Sequence, residues 1–267
     1  MSWEIGLFLG LSLSLGMGHG ALDVLLLRHD ARPMRAMLIY GASVLGFAAV
    51  LANFSAFALV MLLVMSIWHF GEQGFAADQA FHERWLMRCA LGGASVMWPM
   101  LLSAQALLAL LQSTWSTELV WIVLLWKGLA GLWIGVLLVS LILMVKRKQF
   151  QIQLIAEVIA LAVLNVLLPP LLAFTLFFGL YHSPLHILRV RSFGSVPNQA
   201  WIITLLITWL AMALLAGMMW AQRDALIQEA AWWLRWMVVA LTAVTLPHLV
   251  LVSQANKLLH RPIASPH

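Results

Sequence analysis

Apolar runs long enough to span a bilayer recur from one end of this chain to the other, with no long polar stretch between them. Only 9% of the residues are charged, against roughly 25% in a soluble domain. The pattern predicts an all-α, polytopic transmembrane helical bundle, with residues 1–267 forming a single integral membrane domain. The widest gap between apolar runs, 71–84, is too short for an appended soluble domain. The N-terminal Met1-Ser2-Trp3-Glu4 lacks the positive region of a signal peptide, so the first segment is expected to be retained. Cys89 is the single cysteine and cannot form an internal disulfide.

About nine spans fit the punctuation, near 4–27, 35–51, 54–70, 85–111, 118–145, 151–168, 171–190, 199–221 and 230–252. The charged segment Arg28–Arg35 with Pro33 makes one break. Pro169-Pro170 makes another, because two consecutive residues lack backbone N–H groups. The break at Ala52-Asn53-Phe54 is weak, and the second and third spans can also be read as one. Basic residues test the parity. Twelve fall in alternate loops and the C-terminal tail, among them Arg28, Arg84, Lys146, Arg189 and Lys257, whereas the other loops hold only Arg223. Because Lys and Arg are retained on the cytoplasmic side, the expectation is an inner-membrane protein with its N-terminus out and C-terminus in. The same bias accounts for the high isoelectric point without a nucleic-acid partner.

Nine histidines are present, and four of them, His29, His82, His260 and His267, fall in loops or the tail. The other five, His19, His69, His182, His186 and His248, fall in the cytoplasmic halves of four different spans. Polar side chains are expensive in lipid and usually face the bundle interior. A single such histidine is more often an interhelical hydrogen-bonding group than a ligand. Convergence from four helices at one depth favours a metal site, since imidazole suits iron, zinc and copper. His182-Ser183-Pro184-Leu185-His186 places two imidazoles at i and i+4 on one helix face, with Pro184 able to kink the helix and re-aim the pair. Asp23 follows His19 by four residues and Glu72 follows His69 by three, so each is a candidate hydrogen-bond acceptor for its histidine. Gly16-Met17-Gly18-His19-Gly20 is no phosphate loop, because it lies inside an apolar span with no strand before it.

At these residues the chain resembles the bacterial Brp/Blh-type β-carotene 15,15′-dioxygenases. The matching pieces are His19-Gly20-Ala21-Leu22-Asp23, Trp68-His69-Phe70-Gly71-Glu72, His182-Ser183-Pro184-Leu185-His186 and Pro247-His248, in that order. The resemblance implies a membrane enzyme holding non-haem Fe(II) on His19, His69, His182 and His186, with His248 nearby. It implies cleavage of the central double bond of β-carotene by O₂ to all-trans-retinal. Carotenes dissolve in the bilayer, so a site with no soluble domain can receive one sideways from lipid. Trp68, Phe70, Phe178 and Tyr181 are candidates for the wall of an apolar tunnel, a lipid-facing role being the alternative for each. Two readings from other classes stay open on residues alone: a haem- or metal-binding electron-transfer protein, and a transporter without metal. A desaturase would carry adjacent histidines, and the chain has no His-His pair.

Overall fold

The computed structural model describes residues 32–71, 81–115, 119–147, 152–192 and 230–259, most of 20–30, and scattered positions at 8 and between 198 and 210. Among the described residues there is no strand. The helices are α1 (Asp23–Leu27), α2 (Pro33–Ala52), α3 (Ser55–Phe70), α4 (Phe81–Leu102), α5 (Ala104–Thr114), α6 (Leu119–Arg147) and α7 (Ile152–Leu167). After α8 (Pro170–Leu176) comes a π-helical turn, Phe177–His182, then α9 (Ser183–Ser192) and α10 (Ala230–Leu259).

Five described helical segments are long and apolar enough to cross a membrane: Pro33–Ala52, Glu83–Leu102, Val120–Arg147, Pro170–Leu188 and Ala231–Gln254. Ser55–Phe70 and Ile155–Leu167 are apolar but shorter. The described residues therefore do not reach nine spans; the predicted spans 4–27 and 199–221 lie largely outside them. The structure bears out one weak break and interrupts two of the expected spans. The weak break at 52–54 is a real one, because Phe54 leaves the helical region at φ −133° and α3 starts anew at Ser55. The single span expected over 85–111 is two helices. Pro99 lies inside α4, and Ser103 breaks the chain at φ −129° while its hydroxyl donates to the Asn165 carbonyl. The span expected over 171–190 is interrupted by the π turn.

The core forms around α4, which packs on α3, α6 and α7, while α10 packs on α2 and α3. With no water available, polar groups in this core must find protein partners. The indole N–H of Trp98, Trp126 and Trp133 donate to the carbonyls of Val158, Val96 and Ala90, each at 3.0 Å, latching α4 to α7 and α6. Thr242 of α10 places its hydroxyl 3.0 Å from the Ala58 carbonyl of α3. Glycine sets the α3–α4 approach. A Cβ on Gly92 would fall 1.8 Å from the Ile67 carbonyl oxygen, and one on Gly71 would fall 2.2 Å from that of Arg88. The outward faces of α2 and α6 expose Leu38, Leu45, Val120 and Leu132 by more than 60% each, which suits lipid and not water.

Candidate metal centre

His69 is the penultimate residue of α3, His182 ends the π turn, His186 lies in the first turn of α9, and His248 lies in α10 one residue after Pro247. All four are buried. Their side chains form one cluster. His69 Nε2 and His182 Nε2 are 3.0 Å apart. The ring centroid of His69 is 4.7 Å from that of His182, 5.6 Å from His186 and 5.0 Å from His248. His186 and His248 are 5.0 Å apart by the same measure. One ligand nitrogen from each of His69, His186 and His248 lies within 4.8 Å of the others.

These separations fit a shared ion. Two nitrogens bound at right angles to a metal at about 2.1 Å lie about 3.0 Å apart, and two bound opposite lie about 4.2 Å apart. The donor set is wholly imidazole, which suits a first-row transition metal.

The π turn arises where the local sequence would otherwise lose a hydrogen bond. Pro184 has no N–H to continue the ladder, and the Ser183 N–H donates five residues back to the Phe178 carbonyl. His182 and His186 end with their rings nearly parallel, 24° between planes and 6.0 Å between centroids. The kink expected at Pro184 thus takes the form of a widened turn on its N-terminal side.

Asp23 is not described beside the histidine four residues before it. Its carboxylate accepts from His248 Nδ1, which lies 2.8 Å from both oxygens, and from the Tyr40 hydroxyl at 2.6 Å. His19 and Glu72 lie outside the described residues, so neither the His19–Asp23 nor the His69–Glu72 pairing is on view. Tyr40 escaped the sequence reading. The signal was scarcity: the chain has two tyrosines, and each donates to a buried acid, Tyr40 to Asp23 and Tyr181 to Glu157.

Beside the histidines lies a cavity of about 500 Å³ between α1, α2, α3, α8 with the π turn, and α10. His69 and His248 line it, with Phe70, Phe174 and Phe178. Of the four aromatic residues proposed for a tunnel wall, Phe70 and Phe178 are on this cavity and Trp68 and Tyr181 are not. Trp68 instead packs on Trp85 at 4.3 Å under the Arg88 guanidinium, and Tyr181 turns toward Glu157. A smaller cavity of about 120 Å³ continues along α3 and α10 away from the histidines. Leu62, Ser66, Phe174 and Leu241 border both cavities and form the waist between them.

The sequence profile of the beta-carotene 15,15′-dioxygenase family matches residues 11–255, a range that includes all five intramembrane histidines. A beta-carotene 15,15′-dioxygenase from the uncultured marine bacterium 66A03 is 28% identical over 261 residues, covering 91% of each chain. No solved structure matches the chain. With a family profile matched over nearly its whole length and an all-helical fold whose apolar helices suit a bilayer, this chain belongs to the beta-carotene 15,15′-dioxygenase family of carotenoid-cleaving enzymes.

Proposed function

We propose that this protein cleaves β-carotene at its central double bond with O₂, releasing all-trans-retinal, at a non-haem Fe(II) held by His69, His182 and His186 together with His19. The observation that carries this reading is the meeting of four buried imidazoles from separate helices, two of which, His69 and His248, line a cavity whose other side chains are mostly apolar. Ferrous iron bound there supplies the redox chemistry that lets O₂ react with an unactivated C=C bond. Each carbon of the broken double bond leaves as a carbonyl, and a dioxygenase cut would place one atom of O₂ on each aldehyde product.

The chain's own residues bind, aim and dry the substrate. The cavity volume, about 500 Å³, lies within the roughly 300–1,000 Å³ of ligand pockets. Its wall offers a polyene ring faces at Phe70, Phe174 and Phe178, with few polar atoms to retain water. α2 forms one side of the cavity through Tyr40, Gly41, Val44 and Leu45, while Leu38 and Leu45 of the same helix are largely exposed. A thin wall of this kind gives a lipid-dissolved substrate lateral entry. The protein resides in the inner membrane with its N-terminus out and C-terminus cytoplasmic. This orientation is supported by the bias of basic residues to alternate loops, and the ion pair between Glu83 and Arg147 agrees with that parity by bringing the start of α4 and the end of α6 to one face.

The test is expression in cells that accumulate β-carotene. The expected outcome is bleaching with extraction of retinal as the product. Persistent colour with folded, iron-loaded protein would reject the substrate, and longer apocarotenals would reject the central cut.

A further inference from the structure

We infer that His248 is itself a metal ligand of this centre, held in the required tautomer by Asp23 and Tyr40. The inference rests on the metal site proposed above and adds a donor beyond His19, His69, His182 and His186.

The hydrogen-bond chemistry fixes the tautomer. An ionised carboxylate only accepts, so the Tyr40 hydroxyl donates at 2.6 Å and His248 Nδ1–H donates at 2.8 Å. A neutral His248 ring with its proton on Nδ1 keeps its lone pair on Nε2, the nitrogen on the other side of the ring. A carboxylate holding one nitrogen of an imidazole whose other nitrogen binds metal is a recurring arrangement that fixes ring orientation and raises ligand basicity.

Position agrees with this chemistry. The His248 ring is 5.0 Å from both His69 and His186, as close as those ligand candidates come to one another. Charge also agrees. A buried carboxylate in a membrane bundle is costly unless opposed by positive charge. Asp23 is 1% exposed, and no Lys or Arg is described within ion-pairing distance of it. A divalent ion surrounded only by neutral imidazoles supplies the positive charge that Asp23 lacks, one imidazole away. The simpler alternative is a staple joining α1, α2 and α10. It would account for the hydrogen bonds but gives no reason for the His248 ring to sit beside the rings of His69 and His186.

Asp23 and Tyr40 are then positioning residues. The experiment titrates purified full-length protein anaerobically with Co(II), reading affinity and the visible ligand-field spectrum, and measures bound iron separately. His248→Ala is expected to weaken Co(II) binding at least tenfold and to change the spectrum, with added imidazole restoring it. Asp23→Asn is expected to weaken binding about 10–100-fold. Tyr40→Phe acts in the same direction by less. Wild-type affinity and spectrum in a folded His248→Ala protein would overturn the inference. If that variant does not fold, wild-type Co(II) affinity in Asp23→Asn overturns it. Wild-type protein that binds metal in this way but forms no retinal would defeat the proposed reaction and leave the His248 assignment standing. Wild-type protein that binds neither metal would defeat both.

Discussion

His69 Nε2 and His182 Nε2 stand 3.0 Å apart although 113 residues separate them in the chain. Without an ion, one ring must donate to the other through a single shared proton. With an ion, both nitrogens turn lone pairs to it at the spacing of adjacent ligands. The contact therefore makes a definite prediction. Replacing His69, His182 or His186 by Ala is expected to abolish iron binding and turnover with the protein still inserted, whereas His29→Ala retains both. Iron per chain and retinal formed are the readouts. A His182→Ala protein with full iron and full turnover would show the site to be misassigned.

The precision of this cluster depends on how closely α3 approaches α4. A methyl group on Gly92 meets the Ile67 carbonyl oxygen, part of the backbone that leads into His69, at 1.8 Å. Backbone cannot swing aside as a side chain does, so the helices must separate. Gly92→Ala is expected to destabilise the protein by about 1–3 kcal/mol, in the range of overpacked cores. It should also reduce iron retention, because His69 moves with α3. Gly128→Ala provides the contrast, since nothing lies within 4 Å of a Cβ there. Thermal unfolding in detergent and bound iron, measured on the two variants side by side, check both statements.

Much of this arrangement was legible in the chain, and the limits have physical causes. His69, His182, His186 and His248 stood out because imidazoles at one depth on separate apolar spans have few places to go but toward each other. The contact of Asp23 with His248 was not legible. Helical spacing offered His19, which lies outside the described residues, whereas His248 comes from 225 residues away, a contact that only tertiary packing creates. Trp68 and Tyr181 flank the histidines in sequence, yet neighbouring residues on a helix point in different directions. Trp68 turns to Trp85 and Tyr181 to Glu157, leaving Phe70 and Phe178 on the cavity. The split of the 85–111 span was hidden because Pro99 and Ser103 sit in an otherwise apolar run, where hydropathy alone sees no boundary.

Orientation is testable without any enzymology. The Glu83–Arg147 ion pair holds the start of α4 and the end of α6 at one face, which the proposed orientation makes cytoplasmic. At the opposite face the Arg235 guanidinium donates to the Thr114 carbonyl at 2.6 Å, joining the end of α5 to the beginning of α10. Reporter fusions after Lys148 and at the C-terminus are both expected to read as cytoplasmic, and a fusion after Thr114 as periplasmic. A periplasmic C-terminus would break the parity.

The waist between the two cavities predicts how the product changes when it is closed. Along α3, Leu59, Leu62, Ser66 and His69 follow one helix face, and Leu59 lies about 15 Å from His69 at 1.5 Å per residue. On α10, Leu234 lies about 21 Å from His248 by the same rise. The smaller cavity thus extends the larger one away from the histidines and can receive the leading end of a long apolar chain. With its middle bond at the histidines, a symmetric polyene is expected to extend one half past Leu62, Ser66, Phe174 and Leu241. Ser66→Phe or Leu62→Trp puts an aromatic ring into that waist without removing any of the clustered histidines. Either change is expected to leave bound iron near the wild-type level while lowering retinal formation at least tenfold. Substrate that still reacts would enter less far, so the remaining product should shift toward an off-centre cut, with one aldehyde longer than retinal and one shorter. Product lengths resolved by chromatography decide the matter: an unchanged rate with retinal alone from both variants would mean that the substrate does not pass the waist.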